Sequence, residues 1–170
     1  MDTYESILTR RSIRQYTGEL VTEEELLKIL KAGMYAPSAN HREPWHFVVT
    51  QNPDTIDEIM KVHQYTKFAK QAGTVILVCG DLRITPNEVH MIQDTSAAIQ
   101  NMLLAAREMG LGTCWCGVRS NEKVETALRE IFGIDDPQIL LMSLVVVGRP
   151  AIEPAVPERF REDRIHRDKW

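Results

Sequence analysis

The stretch QDTSAAIQNMLLAAREMGLGTCWCG, Gln93 to Gly117, decides the fold. From about Glu88 to Met109 the apolar positions Ile92, Ile99, Met102, Leu103 and Ala106 recur at helical spacing, with Ala97, Ala98, Ala105 and Ala106 offering close packing. This is the longest helix of the chain, and Gly110 stops it. The glycines of GLGTCWCG, Gly110 to Gly117, then supply points where backbone can approach a flat ligand closely. They are not a dinucleotide fingerprint, because G-x-G-x-x-G must lead from a strand into a helix, whereas these glycines leave a helix and the third falls two positions late. A tightly held NAD on a Rossmann unit is disfavoured. The plainer alternative makes Gly110 a helix C-cap and Trp115 a core residue.

Working outward, three apolar runs read as strands: Trp45 to Thr50 (WHFVVT), Thr74 to Cys79 (TVILVC) and Leu140 to Val147, the most hydrophobic. Thr74 to Cys79 is apolar on both faces and is therefore central. Four further segments read as helices. Asp2 to Arg10 spaces Tyr4, Ile7 and Leu8 on one face. Thr22 with Glu25 forms a capping box for a helix carrying Leu26, Leu27, Leu30 and Met34, which Pro37 brings to an end. Asn52-Pro53 caps and starts a helix bearing Ile56, Ile59 and Met60, and Ser120 caps one running through Val124, Leu128 and Ile131 to Gly133. From Pro150 to Trp170, three prolines and ten charged residues argue against an independently folded element, so this tail is expected to lie along another surface, such as a second subunit.

The 170 residues suffice for one core, and we read residues 1–170 as a single domain. A net charge of -4 gives no overall field to attract nucleic acid or an anionic membrane, so any anion site must come from local clustering of Arg and Lys. The start, MDTYESILTRR, has no apolar leader region, and the longest apolar run, Ile139 to Val147, is far below the roughly 20 residues of a membrane helix. Neither export nor membrane insertion is expected. Cys79, Cys114 and Cys116, an odd number in apolar surroundings, fit reduced thiols in a cytoplasm better than disulfides.

Few residues point to chemistry of their own. RRSIR puts Arg10, Arg11, Ser12 and Arg14 within five residues, a donor density suited to a dianionic phosphate, although a short basic run is also what a solvated helix end looks like. Cys114 and Cys116 form a C-x-C pair, but no second cysteine pair exists and the five histidines lack H-x-x-x-H spacing, so no metal site is expected. Ser38, His41 and Asp81 offer the residue types of a nucleophile set without any G-x-S-x-G elbow, which leaves hydrolase chemistry unsupported.

Taken together, RRSIRQY, APSANHREPWHFVV, QDTSAAIQNMLLAAREMGLGTCWCG and VVVGRPA resemble, in order and spacing, the nitroreductase family of FMN-dependent oxidoreductases, in its short minimal form. The resemblance covers essentially the whole chain. It implies an α+β fold, a nitroreductase-like three-layer sandwich whose mostly antiparallel central sheet is flanked by helices, with the C-terminal tail extending over the partner subunit of a homodimer. Two FMN sites then lie in the subunit interface. By the same resemblance Arg10, Arg11, Ser12 and Arg14 hold the FMN phosphate and ribityl chain, with Arg159 completing the phosphate site. Pro37, Ser38, Ala39 and the residues after them, from the partner, pack along the flavin ring. Backbone N–H groups of Cys116 and Gly117 face flavin N5, and Gly148 and Arg149 form a turn that approaches the cofactor. One departure stands out: the family's P-S-x-x-N-x-Q-P-W has His41 and Glu43 here at the Asn and Gln positions. An imidazole beside the flavin still hydrogen-bonds, whereas the acid changes local charge.

The implied activity is hydride transfer from NADH or NADPH to flavin N5, departure of the nicotinamide, and entry of a small electron-poor acceptor, nitroaromatic or quinone-like, into the same slot. No protein residue is then expected to act as a catalytic acid, base or nucleophile. Two alternatives stay open: other redox work on the same fold, such as dehydrogenation, dehalogenation or flavin breakdown, and a non-catalytic module that binds a partner through its arginines.

Overall fold

In chain order the computed structural model, which describes residues 2–170, runs α1 (Thr3–Thr9), α2 (Glu23–Met34), β1 (Trp45–Thr50), α3 (Pro53–Val62), α4 (Ala69–Ala72), β2 (Thr74–Asp81), α5 (Glu88–Glu108), β3 (Gly112–Gly117), α6 (Glu122–Phe132) and β4 (Ile139–Gly148). The four strands form one sheet in the order β1-β2-β4-β3, and every neighbouring pair is antiparallel. Strands β2 and β4 are inner strands, which explains why neither alternates between polar and apolar residues. Val75, Leu77 and Cys79 with Leu144 and Val146 face Ile56 and Ile59 of α3, Ala69 and Ala72 of α4 and Leu128 of α6. On the opposite face, Ile76, Val78, Val145 and Val147 meet Leu26 and Ile29 of α2 and Ile99, Met102, Leu103 and Ala106 of α5. The result is the expected α+β sandwich of helices, sheet and helices.

Local chemistry sets most of the boundaries. Thr22 and Glu25 make the anticipated capping box, and Asn52 accepts from the Asp54 N–H with Pro53 opening α3. Gly110, at φ +75°, takes the left-handed conformation that ends α5. Helix α6 departs from expectation, since Asn121 rather than Ser120 caps it, by accepting from the Val124 N–H.

Three other expectations need correction. GLGTCWCG is read from sequence for its glycines and given no strand, yet Gly112–Gly117 is a strand, paired with β4 from Gly112↔Gly148 to Gly117↔Ser143. Trp115 is not core but 39% exposed, and its indole N–H donates to Ser143 Oγ at 2.7 Å. On the helices, Tyr4, Ile7, Leu8, Leu27, Met34 and Ile92 share apolar faces as read, yet all are exposed, and Ile29 and Gly33 fill the core side of α2 instead. Among the described residues no helix is long and apolar enough to cross a membrane.

Candidate functional site

As an edge strand, β3 leaves half of its backbone groups without a strand partner. Which half follows from two hydrogen bonds: Ile13 N–H donates outward to Thr113 O at 2.8 Å, while Val118 N–H donates inward to Met142 O at 3.1 Å. By alternation, the N–H and C=O of Thr113, Trp115 and Gly117 face outward, and those of Cys114 and Cys116 belong to the ladder with β4. The outer edge is closed at one end by the Ser12–Thr113 bridge and at the other by His63, whose Nε2 lies 2.9 Å from Gly117 O. Between these closures Trp115 backbone and the Gly117 N–H face a cleft of about 370 Å3.

The cleft is walled by Arg14, by Gln64, Tyr65, Lys67 and Phe68 from the turn between α3 and α4, and by Cys114, Trp115, Cys116 and Gly117. Its surface joins aromatic rings and cations to a row of backbone hydrogen-bonding groups, a mixture suited to a flat, polar-edged, anionic ligand. Gly117 is the telling residue. A Cβ added there would meet no heavy atom within 4 Å, and its φ is not positive, so neither packing nor conformation within the chain asks for glycine. What its bareness provides is close access to the strand edge.

Positive charge gathers beside the cleft. Arg10 and Arg11 line an adjoining crevice with Gly112, Thr113 and Pro150. Among the described residues, Arg10, Arg11, Arg14 and Arg159 carry no salt bridge. Burial first, then Arg159 and Arg11, push the Arg10 guanidinium below its usual pKa range, which brings Arg159 of the tail into the same cluster. Such crowding of like charges is what an anion would relieve. The tail is held beside it: Tyr16 bridges Pro150, Ala151 N–H donates to Gln15 O at 3.0 Å, Arg11 donates to Ala155 O, and Arg107 pairs with Glu153 at 2.6 Å.

Beneath the floor Cys114 and Cys116 turn their side chains to one face, with sulfurs 4.0 Å apart. The hydrogen bond from Cys116, aided by Arg14 and Arg10 and opposed by burial, lowers the Cys114 thiol, while Cys116 is raised by that same bond and by burial. Cys79, elsewhere in the core, is pushed up to about 12 by burial. All three cysteines are buried and free.

The structure divides the residues singled out from sequence into three groups. Arg14, Cys116 and Gly117 line the cleft, with Arg10, Arg11, Ser12 and Arg159 beside it. Within Cys116–Gly117, the outward N–H is that of Gly117, and Cys116 contributes its side chain. Pro37, Ser38, Ala39 and His41 do not line the cleft of their own chain. They form a strained turn with positive φ at Asn40, His41 and Glu43 (54°, 55° and 52°). Ala39 N–H donates to Asp94 Oδ1 at 2.9 Å, Glu43 N–H donates to Ser38 Oγ at 3.0 Å, and His41 Nε2 stands 3.4 Å from Glu43 Oε1. Asp94 is buried, and its Oδ2 has no partner among the described residues. Ser38, His41 and Asp81 make no nucleophile set: Asp81 is bound by Arg83 at 2.8 Å, and Ser38 is used by the turn.

Gly148 and Arg149 form the third group. Gly148 pairs with Gly112, at the end of β3 away from Gly117, and Arg149 is clamped by Glu25 at 2.8 and 3.0 Å and by Glu19 at 3.2 Å. Its donors are spent on Glu25 of α2 and on Glu19 before that helix. In the opposite direction, sequence reasoning passed over His63, Gln64, Tyr65, Lys67 and Phe68. The signal available was an aromatic and basic turn, YTKF, shortly after α3.

Compared with known proteins, the chain matches the model of the nitroreductase family over residues 7–67 and 61–149. It is 40% identical over 168 residues to a protein of Archaeoglobus fulgidus named as a candidate NADH dehydrogenase/NAD(P)H nitroreductase, with 96% of each chain covered. A solved structure from Parabacteroides distasonis given the same candidate name superposes with a TM-score of 0.93 at 32% identity, covering 99% of this chain and 98% of that one. A candidate nitroreductase from Desulfovibrio desulfuricans, solved in complex with FMN, superposes with a TM-score of 0.86 at 29% identity over 100% and 98% of the two chains.

Proposed function

The chain belongs to the nitroreductase family, and from that membership we propose that it is an FMN-dependent oxidoreductase that takes hydride from NADH or NADPH and delivers it to small electron-poor acceptors of nitroaromatic or quinone type. The observation that carries this reading is the open outer edge of β3 between Thr113 and Gly117, bared by a glycine that nothing else in the chain requires. When bound, FMN supplies the hydride chemistry.

The residues present fit that group. Arg10, Arg11, Ser12 and Arg159 neutralise and orient its phosphate, and the uncompensated guanidiniums are suited to a dianion. Phe68 and Trp115 offer apolar surface to a ring, Arg14 and Lys67 offer positive charge at its rim, and the Gly117 N–H donates into the cleft. With positioning and hydrogen bonding as the protein's task, no nucleophile or proton relay is needed in the cleft.

A homodimer completes the reading. Tyr4, Ile7, Leu8, Phe160, Ile165 and Trp170 are exposed apolar residues on α1 and the tail, suited to burial against a second copy. That copy would bring its turn of Pro37, Ser38, Ala39 and His41 to the cleft. One dimer of single-domain chains working in the cytoplasm is the arrangement consistent with these features.

The test is the visible spectrum of protein purified without added flavin, followed by NADH or NADPH under argon. Flavin bands that bleach with reduced nicotinamide, followed by reoxidation with a nitroaromatic or quinone, are expected. Bleaching without reoxidation by either acceptor would reassign the enzyme to other redox chemistry, and colourless protein that refuses FMN would overturn the reading.

A further inference from the structure

His63 is 2% exposed, lies 54 residues before Gly117 in the chain, and belongs to no motif singled out from sequence. Its protonation pattern follows from its partners. The Tyr65 N–H donates to Nδ1 at 3.3 Å, so Nδ1 carries no proton, and the neutral ring must carry it on Nε2, which donates to Gly117 O at 2.9 Å. The ring has little freedom to turn away. The His63 carbonyl accepts from the Thr66 N–H at 3.1 Å and from Thr66 Oγ1 at 2.8 Å, and the imidazole packs edge-on against Tyr65 with centroids 6.0 Å apart.

Gly117 O and Val118 N–H belong to one planar peptide unit. That unit is therefore held from both sides, by His63 on the carbonyl and by Met142 O on the N–H. A second contact joins the same two elements, since the Cys116 sulfur lies 3.5 Å from Tyr65 O. Glycine at 117 has no Cβ to restrict its backbone, so the outward carbonyl at the end of β3 depends on His63 for its second anchor, the ladder with β4 supplying the first. The clamp also fills the one outward acceptor at that end, leaving the Gly117 N–H as the group presented to the cleft.

We propose that His63 is a positioning residue of the cleft: its Nε2–H holds the Gly117–Val118 peptide while the β4 ladder holds the Cys116–Gly117 peptide, so that Gly117 is fixed on both sides and its N–H keeps its direction toward the bound ring. The inference rests on the flavin reading above. A donor held at one point of a ring whose electron density rises on reduction stabilises the reduced form more than the oxidised form, whereas loss of mere packing would weaken both alike. His63 thus acts on the ratio of the two affinities.

The experiment is an anaerobic redox titration of FMN-loaded wild type, His63→Gln and His63→Leu, alongside FMN affinity by fluorescence. The Gln amide reaches the position of Nε2 and keeps a donor there; Leu does not. His63→Leu is expected to lose about tenfold in its preference for reduced over oxidised flavin, a fall in midpoint potential of about 30 mV for a two-electron couple, with His63→Gln restoring most of it. A folded, loaded His63→Leu protein at the wild-type potential overturns the inference and leaves the flavin reading intact. Should His63→Leu not fold, His63→Asn, whose amide stops short of Nε2, takes its place with the same expected fall. Nitrogen-15 histidine spectra of flavin-free wild type add a reading independent of FMN. Protonated Nε2 with bare Nδ1 is expected, and the opposite tautomer overturns the clamp. A wild type that binds no FMN would defeat the flavin reading, and with it the inference.

Discussion

Gly117 and Gly148 end neighbouring strands, both were assigned to the cofactor by family resemblance, and they are bare for opposite reasons. A Cβ on Gly148 would sit 2.7 Å from Ala72 O and 2.8 Å from Tyr16 Cδ1, whereas one on Gly117 would meet nothing within 4 Å. The arginines near them divide in the same way. Arg149 is spent on Glu25 and Glu19, while Arg10 and Arg14 have no carboxylate partner among the described ion pairs. A glycine or an arginine in a motif thus states a need for room or for charge, and only the surrounding atoms say whether the protein itself meets that need.

The contrast can be broken most forcibly at Gly148. Gly148→Ala must displace backbone as well as a buried tyrosine, so a loss of about 3 kcal/mol is expected from urea midpoints, with FMN affinity of the folded fraction unchanged. Gly117→Val is the mirror case. It should leave the urea midpoint within about 0.5 kcal/mol yet weaken FMN binding by on the order of 30-fold, about 2 kcal/mol, by filling the approach to the strand edge. Equal effects of the two substitutions on stability would erase the distinction.

Arg10→Ala sharpens the comparison further, with FMN affinity falling by about tenfold, about 1.4 kcal/mol, measured by fluorescence titration. The smallest effect is expected at Arg149→Ala, about 1 kcal/mol of stability, with FMN affinity unaltered. Its signature is in the pH dependence. Burial raises the Glu25 carboxyl, but hydrogen bonds from Thr22 and Arg149 outweigh it and hold the group below its ordinary range. A depressed folded pKa contributes stability that is present above the unfolded value and lost as pH falls through the folded one. Arg149→Ala should therefore flatten the acid limb of the stability curve below about pH 4.5, and an unchanged limb would remove Arg149 from that role.

Much of this architecture was legible because local patterns carried it. The strand at Trp45–Thr50, the Thr22–Glu25 capping box and the Asn52-Pro53 helix start each follow from a few adjacent residues. The third-dimensional parts were not. Strand β3 was hidden by its glycines, since alternation between buried and exposed residues covers only Cys114 to Gly117. Helical spacing grouped Tyr4, Ile7 and Leu8 correctly but carries no information on what lies opposite them. The cleft wall, Gln64 to Phe68, reaches β3 only because α3 and α4 pack on the sheet face that Cys114 and Cys116 share, a tertiary fact with no local signature.

The two closures on β3 have a further consequence for solubility. A bare edge strand is a template on which strands of other molecules add, and growth of that kind needs a run of several free backbone groups. Ile13 occupies Thr113 and His63 occupies Gly117, so the free run is cut to the neighbourhood of Trp115. The opening is long enough to receive a ring and too short to seed a sheet.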